Sequence, residues 1–168
     1  QAPTLTATSP GGGPVPISLT AAGLNRYSGT FAVTPATPSG LVRFEVSAID
    51  LLGNRFAGAP EGPTLTIDTT APVGLVRPGE VPPVQVLVAI DLPIELELSE
   101  PAASGTVPEL RFVPPEGDTV GVSVDGGPVV WTGTLPLTPS MGSGTGVFEM
   151  MAVDGVGNSG TRIGAGAS

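Results

Sequence analysis

A stretch of this sequence recurs about 104 residues further along the chain, and this internal repeat limits the possible folds more than any other feature. Tyr27-Ser-Gly-Thr-Phe-Ala-Val-Thr-Pro aligns with Trp131-Thr-Gly-Thr-Leu-Pro-Leu-Thr-Pro without a gap. The match continues to Asn54 and Asn158, and 12 of the 28 aligned positions are identical. Because long repeats of this kind correspond to structural units, we expect two copies of one module.

The two copies differ in length. The segment 84–101 of the second copy has a counterpart that would lie before residue 1. We therefore predict a first domain over 1–67 that is incomplete at its N-terminus, a linker over 68–72 and a complete second domain over 73–168. The strands missing from the first domain lie either on an omitted stretch of the same chain or on a neighbouring subunit.

Glycine, proline and alternating hydrophobic residues together indicate β-structure. The 25 Gly and 20 Pro interrupt the chain too often for long helices, while 40% hydrophobic residues suffice for a core. Apolar and polar residues alternate, as in Ile94-Glu-Leu-Glu-Leu98. Strands are predicted at 4–8, 17–21, 27–33, 42–49, 64–67, 84–90, 94–98, 109–113, 120–124, 130–137 and 147–153. Short strands separated by Gly/Pro turns favour an all-β fold of two-sheet sandwiches.

Two similar turns each follow a predicted strand. In Asp50-Leu-Leu-Gly-Asn54 and Asp154-Gly-Val-Gly-Asn158, the Asp carboxylate can accept hydrogen bonds from turn amides and the glycine can supply a positive φ. Gly53 and Gly157 are thus predicted to be structural turn residues.

These turns carry a resemblance to a known family. Ala48-Ile-Asp-Leu-Leu-Gly-Asn54 and its counterpart at 152–158 resemble the A-x-D-x-x-G-N hairpin of bacterial immunoglobulin-like repeats. Ile67-Asp-Thr-Thr-Ala-Pro72 resembles the D-T-T-A-P linker between such repeats, and Leu96-Glu-Leu-Ser-Glu-Pro101 resembles their early F-S-E-P strand. The resemblance implies tandem immunoglobulin-like β-sandwich domains in a large surface protein, where they act as stalks, spacers or adhesive units.

Charge and composition exclude several function classes. The net charge of −9 would repel nucleic acids and anionic membrane surfaces, and no apolar run is long enough to insert into a membrane. The chain has no His, Cys or Lys, so an activated serine, a thiolate or a Schiff base cannot form. Glu95 and Glu97 could form a glycosidase pair, but alternating Glu on a strand more often faces solvent. We expect no enzymatic activity.

Calcium is the one cofactor that the sequence suggests. Hard cations prefer oxygen ligands, and the candidate ligands are Asp68 in the linker together with Asp50 or Asp154 and Asn54 or Asn158. No D-x-D-x-D-G run is present, and the alternative is that these residues cap turns and shape the linker.

The sequence thus favours a structural or adhesive module of a secreted, extracellular cell-surface protein. Its expected partners are neighbouring repeats or subunits of the same protein and a surface receptor that the sequence does not identify. The alternative is a ligand-binding or carbohydrate-binding accessory domain of a secreted enzyme. Trp131 is weak evidence for this alternative, because large aromatic residues usually fill a core.

Overall fold

The computed structural model describes residues 2–79, 84, 86 and 88–164. Their regular secondary structure is almost entirely β-strand, and strands make up half of the structure. The chain divides into two compact units, Gln1–Thr70 and Ala71–Ser168. The division falls inside the segment 68–72. All strand pairs in the described ranges are antiparallel, and the one helical element among them is a 3₁₀ turn at Pro139–Met141. The all-β prediction is confirmed.

The first unit contains seven strands in its described part. They are β1 (Thr4–Thr8), β2 (Pro14–Ile17), β3 (Thr20–Gly23), β4 (Arg26–Ser28), β5 (Gly40–Ile49), β6 (Arg55–Gly58) and β7 (Leu65–Ile67). The main sheet has the order β2-β1-β5-β6, and β7 also pairs with β5. The hairpin of β3 and β4 forms a separate two-stranded sheet.

The second unit contains eight strands in its described part. They are β8 (Gly74–Pro78), β9 (Ile90–Leu98), β10 (Glu109–Val113), β11 (Val120–Val122), β12 (Val124–Gly126), β13 (Val130–Leu137), β14 (Val147–Val153) and β15 (Ser159–Gly160). They form two four-stranded sheets, with the orders β11-β10-β14-β15 and β12-β13-β9-β8.

The two sheets of the second unit share one hydrophobic core. Both sheets contribute side chains to it: one supplies Leu110, Val122, Met150 and Ala152, and the other supplies residues such as Leu96. Burial of such side chains contributes roughly 1.5–3 kcal/mol each to stability. Two antiparallel sheets around one core are consistent with a β-sandwich.

The first unit has a much smaller core. Its buried hydrophobic residues are Ala7, Val42 and Ile67, and partly buried side chains such as Phe31 and Phe44 pack against them. The described part of this unit has no counterpart of β8 and β9, and β9 alone supplies four buried side chains to the core of the second unit.

The strand pairing shows that one sheet has the same arrangement in both units. In the first unit Ala7 on β1 lies opposite Phe44 on β5, and in the second Phe112 on β10 lies opposite Phe148 on β14. The sheet order β2-β1-β5-β6 therefore matches β11-β10-β14-β15, strand for strand.

Two predicted strands are wrong in the same way. The segments 17–21 and 120–124 were expected to be continuous, but in each the chain leaves one sheet and enters the other. In the second unit this crossover occurs at Ser123, between β11 and β12. In the second unit both sheets face one core, so apolar alternation continues across the crossover and hides it in the sequence.

Two other strand predictions also need correction. Of the predicted strand at 84–90, Val84, Val86 and Val88 belong to no strand, and residues 85 and 87 lie outside the described residues. The outer strand next to β9 is instead β8. This strand was not predicted, because it begins at Gly74 and ends at Pro78, and both residue types are typical of turns. The predicted strand at 27–33 is reduced to β4.

Candidate functional site

The Asp154 hairpin joins β14 to β15 and has a dense hydrogen-bond arrangement. Asp154 is only 2% exposed. Its Oδ1 accepts hydrogen bonds from the backbone N–H groups of Val156, Gly157 and Asn158, at 2.9, 2.7 and 2.9 Å. Its Oδ2 accepts one from Asn158 Nδ2 at 2.7 Å. Gly157 has a φ of 98°, a left-handed conformation that favours glycine. The hairpin thus forms around one buried carboxylate.

Opposing effects act on the pKa of Asp154. Burial disfavours the charged carboxylate and raises the pKa, whereas the hydrogen bonds from Asn158, Val156 and Gly157 favour it. The hydrogen bonds dominate, and the pKa lies below its ordinary value. Asp154 is therefore a charged structural group at neutral pH and is unsuited to act as a general acid.

The Asp50 hairpin has the same design on the surface of the first unit. Asp50 accepts hydrogen bonds from Leu52 N and Asn54 N, both at 2.8 Å, and from Asn54 Nδ2 at 2.7 Å. These bonds, chiefly those from Asn54, lower its pKa. Gly53 has a φ of 89°. Both hairpins therefore cap their own turns with an ionised aspartate.

Asp68 lies far from the Asp50 hairpin. It follows β7, whose Ile67 pairs with Gly40 at the start of β5, whereas Asp50 follows the end of β5. A strand of ten residues spans about 30 Å, so Asp50 and Asp68 cannot bind the same ion. Asp68 Oδ1 instead accepts hydrogen bonds from Thr70 N at 3.0 Å and Ser39 Oγ at 3.2 Å.

Glu100 is an acidic neighbour of Asp154 that was not among the residues predicted from the sequence. A carboxylate oxygen of Glu100 lies within 4.8 Å of a carboxylate oxygen of Asp154. Oxygen pairs of this kind are ligands that calcium uses, but the Asp154 oxygens already accept four N–H groups. Calcium binding by Asp68 with Asp154 and Asn158 stays a prediction. The L-S-E-P segment that contains Glu100 was the available signal.

Glu95 and Glu97 share one arginine partner. Arg77 on β8 donates to both carboxylates, with Nη1 at 2.9 Å from Glu95 and 2.6 Å from Glu97. Glu97 and then Glu95 raise the pKa of Arg77. Both glutamates lie half-exposed on the outer face of the sheet, where the arginine neutralises part of their charge.

Trp131 is 5% exposed and belongs to the core of the second unit. A carbohydrate ring cannot stack on a buried indole. Its equivalent in the first unit, Tyr27, is 41% exposed. The two residues thus have different environments despite their matching positions in the repeat.

A crevice of about 900 Å³ opens between the two sheets of the second unit. Its lining includes Phe112, Leu135, Leu137, Met141 and Phe148. None of its lining residues in the described part of the chain is charged.

Comparisons with known proteins give no relative. No protein-family model, curated protein or solved structure matches the chain. No helix within the described residues has the length and apolar character needed to cross a membrane.

Proposed function

We propose that this chain is a structural segment of an extracellular bacterial surface protein, built from immunoglobulin-like modules that span distance or present an adhesive region. The observation that carries the proposal is the same strand register in both units, which indicates a duplicated module. Proteins that repeat one module along the chain commonly use the repeats to build extended structures.

The second unit supports the immunoglobulin-like assignment. Immunoglobulin-like sandwiches contain about seven strands in two antiparallel sheets, and the described part of this unit has two four-stranded sheets. The residues that resemble the A-x-D-x-x-G-N hairpin form a turn. In this turn the Asp154 carboxylate accepts hydrogen bonds from N–H groups of the turn itself. A hairpin held in this way is a structural element.

The chemistry of the side chains supports a non-catalytic role. The chain lacks His, Cys and Lys, both hairpin aspartates have lowered pKa values, and Arg77 pairs with both strand glutamates. The accessory-domain alternative has less support, because Trp131 is buried and the crevice has no charged lining residue among those described.

Single-molecule force spectroscopy tests the proposal. The full chain is placed between two marker domains and pulled at constant speed. A spacer must resist tension, so we expect a distinct unfolding event for Ala71–Ser168 with a length gain of roughly 30 nm. Extension of this unit without measurable force would contradict a load-bearing role, and selective binding of soluble polysaccharides would favour the accessory alternative.

A further inference from the structure

The strand β4 of the first unit occupies the place that β13 occupies in the second. Tyr27 on β4 lies opposite Ala21 on β3, and Trp131 on β13 lies opposite Gly126 on β12. The sequence repeat aligns the same two aromatic residues. Because the strands are equivalent, the strand that covers β13 indicates what fits against β4.

In the second unit, β9 pairs with every residue of β13, from Val130 opposite Glu97 to Leu137 opposite Ile90. The inward residues of β9, each at most 5% exposed, are Leu92, Ile94, Leu96 and Leu98. In the part of the first unit that the structure describes, β4 pairs with β3 and with no other strand. Residues 29–33, which align with the rest of β13, form no strand.

The absence of a β9 equivalent from the described part of this unit leaves apolar side chains exposed. Tyr27 is 41% exposed where Trp131 is 5% exposed, and Val33 is 48% exposed. A strand edge next to exposed apolar residues is a template for an added strand, because its backbone groups can complete a hydrogen-bond ladder.

A charged residue on β4 indicates which residue type the added strand should carry opposite it. Arg26 aligns with Val130, which lies opposite Glu97 of β9. An added strand in the same register would place its equivalent of Glu97 opposite Arg26. Among the described residues, no carboxylate lies within 4.0 Å of the Arg26 guanidinium. Oppositely charged residues that face each other across two strands stabilise the pair.

We propose that the edge of β4 binds an antiparallel strand with the chemistry of β9. Its aliphatic residues would lie opposite Tyr27 and Phe31, and an acidic residue would lie opposite Arg26. The occupant is a strand from another module of this repeat type. The proposal deepens the proposed function, on which it rests, because it names the contact through which one module completes the next.

A peptide titration tests the proposal on the full chain. Tyr27 is the one tyrosine in the sequence, so 3-fluorotyrosine gives a single ¹⁹F NMR signal at the proposed site. A synthetic peptide with the sequence of residues 89–99 should shift this signal saturably. The Leu96→Asp peptide should bind at least about tenfold more weakly, because it would bury a charge against Tyr27. Fluorescence of Trp131 should not change.

A charge swap tests the register. The Glu97→Lys peptide should bind the unmodified chain about two- to fivefold more weakly, as expected for an exposed ion pair. The Arg26→Glu chain should reverse this preference. A folding defect would weaken both peptides equally, so reversal distinguishes a specific contact from damage to the unit.

A fusion that links the added strand covalently to the chain does not depend on the affinity of a free peptide. A second copy of residues 71–101 is fused before residue 1 of the full chain through a flexible linker. Hydrogen exchange at residues 29–33 should slow at least tenfold, and Leu96→Asp in the added copy should abolish the protection.

Two results would overturn the proposal. One is that neither the peptide nor the fusion affects Tyr27 or residues 29–33. The other is that Leu96→Asp leaves the effect of the peptide and of the fusion unchanged, which would mean that the contact does not use the inward face of a strand like β9. Neither result alters the force response of Ala71–Ser168. The proposed function is therefore tested independently of the strand-binding proposal.

Discussion

Asn158 donates two hydrogen bonds to Asp154, one from its backbone N–H at 2.9 Å and one from its side-chain Nδ2 at 2.7 Å. Asn54 and Asp50 repeat this arrangement in the first unit, at 2.8 and 2.7 Å. The two hairpins differ in burial, because Asp154 is buried and Asp50 is exposed. The same turn chemistry should therefore contribute more to stability in the second unit.

Removing the buried carboxylate should destabilise the second unit strongly. Asp154→Ala leaves three backbone N–H groups and the Asn158 amide without their acceptor, and we expect a loss of about 2–4 kcal/mol in the free energy of unfolding. Asp50→Ala is the matched control, with a smaller effect because water replaces the carboxylate. Urea unfolding followed by Trp131 fluorescence measures the free energy of unfolding of Asp154→Ala. Equal losses in the two units would contradict the role of burial.

The lowered pKa of Asp154 predicts a dependence on pH. A carboxylate whose folded pKa lies below its unfolded value stabilises the fold above the unfolded value, near 3.8, and this contribution is lost as the pH falls through the folded value. The stability difference between the original chain and Asp154→Asn should therefore shrink below about pH 4. Urea unfolding at pH 6 and pH 3 measures this difference in the free energy of unfolding. Asp50→Asn is the control in the first unit. A difference that does not depend on pH would refute the prediction.

The two glycines of the Asp154 hairpin should respond differently to substitution. A Cβ on either Gly155 or Gly157 would meet no atom within 4 Å, but Gly157 has a φ of 98°. Gly157→Ala should therefore cost about 1–2 kcal/mol through backbone strain, while Gly155→Ala should be close to neutral. Thermal unfolding followed by Trp131 fluorescence compares them. Similar melting temperatures for the two variants would rule out a conformational requirement at Gly157.

The same reasoning predicts that Gly53→Val destabilises the first unit. Gly53 has a φ of 89° and open space around its Cα, so the cost of about 1–2 kcal/mol arises from the backbone. The ¹⁹F signal of fluorinated Tyr27 reports unfolding of this unit. Leu52→Val, at an exposed neighbouring position, is the control, and an unchanged midpoint for Gly53→Val would argue against the turn assignment.

Local patterns in the sequence predicted much of the fold. Strands β1, β10, β13 and β14 have the expected bounds, because their alternation coincides with burial on one face. The strand at 27–33 was overpredicted, since its length in the repeat depends on a partner such as β9, which lies far away in the sequence. The L-S-E-P segment drew attention to Glu100, but its position beside Asp154 depends on tertiary folding and could not be derived from the spacing of the residues.

The crossover between sheets also explains why a glycine recurs in both copies of the repeat. A Cβ on Gly133 would lie 2.5 Å from Ser123 O and 3.1 Å from Val124 Cγ1, and a Cβ on Gly29 would lie 2.7 Å from Ser18 O. In each unit, the chain at this glycine passes close to the backbone carbonyl at the crossover. Only a residue without a side chain permits this approach.

Gly133→Ala should therefore destabilise the second unit by about 2–4 kcal/mol, because the Ser123 carbonyl is backbone and cannot move without displacing β11 and β12. Gly121→Ala is the matched control. Gly121 lies in a strand of the same unit, has no positive φ and would place its Cβ in open space. Since glycine is less favourable than alanine in a strand, the control should be neutral or slightly stabilising. Urea unfolding followed by Trp131 fluorescence compares the two variants. If Gly133→Ala unfolded at the same urea concentration as Gly121→Ala, the close approach at Ser123 could not be the reason that this glycine recurs.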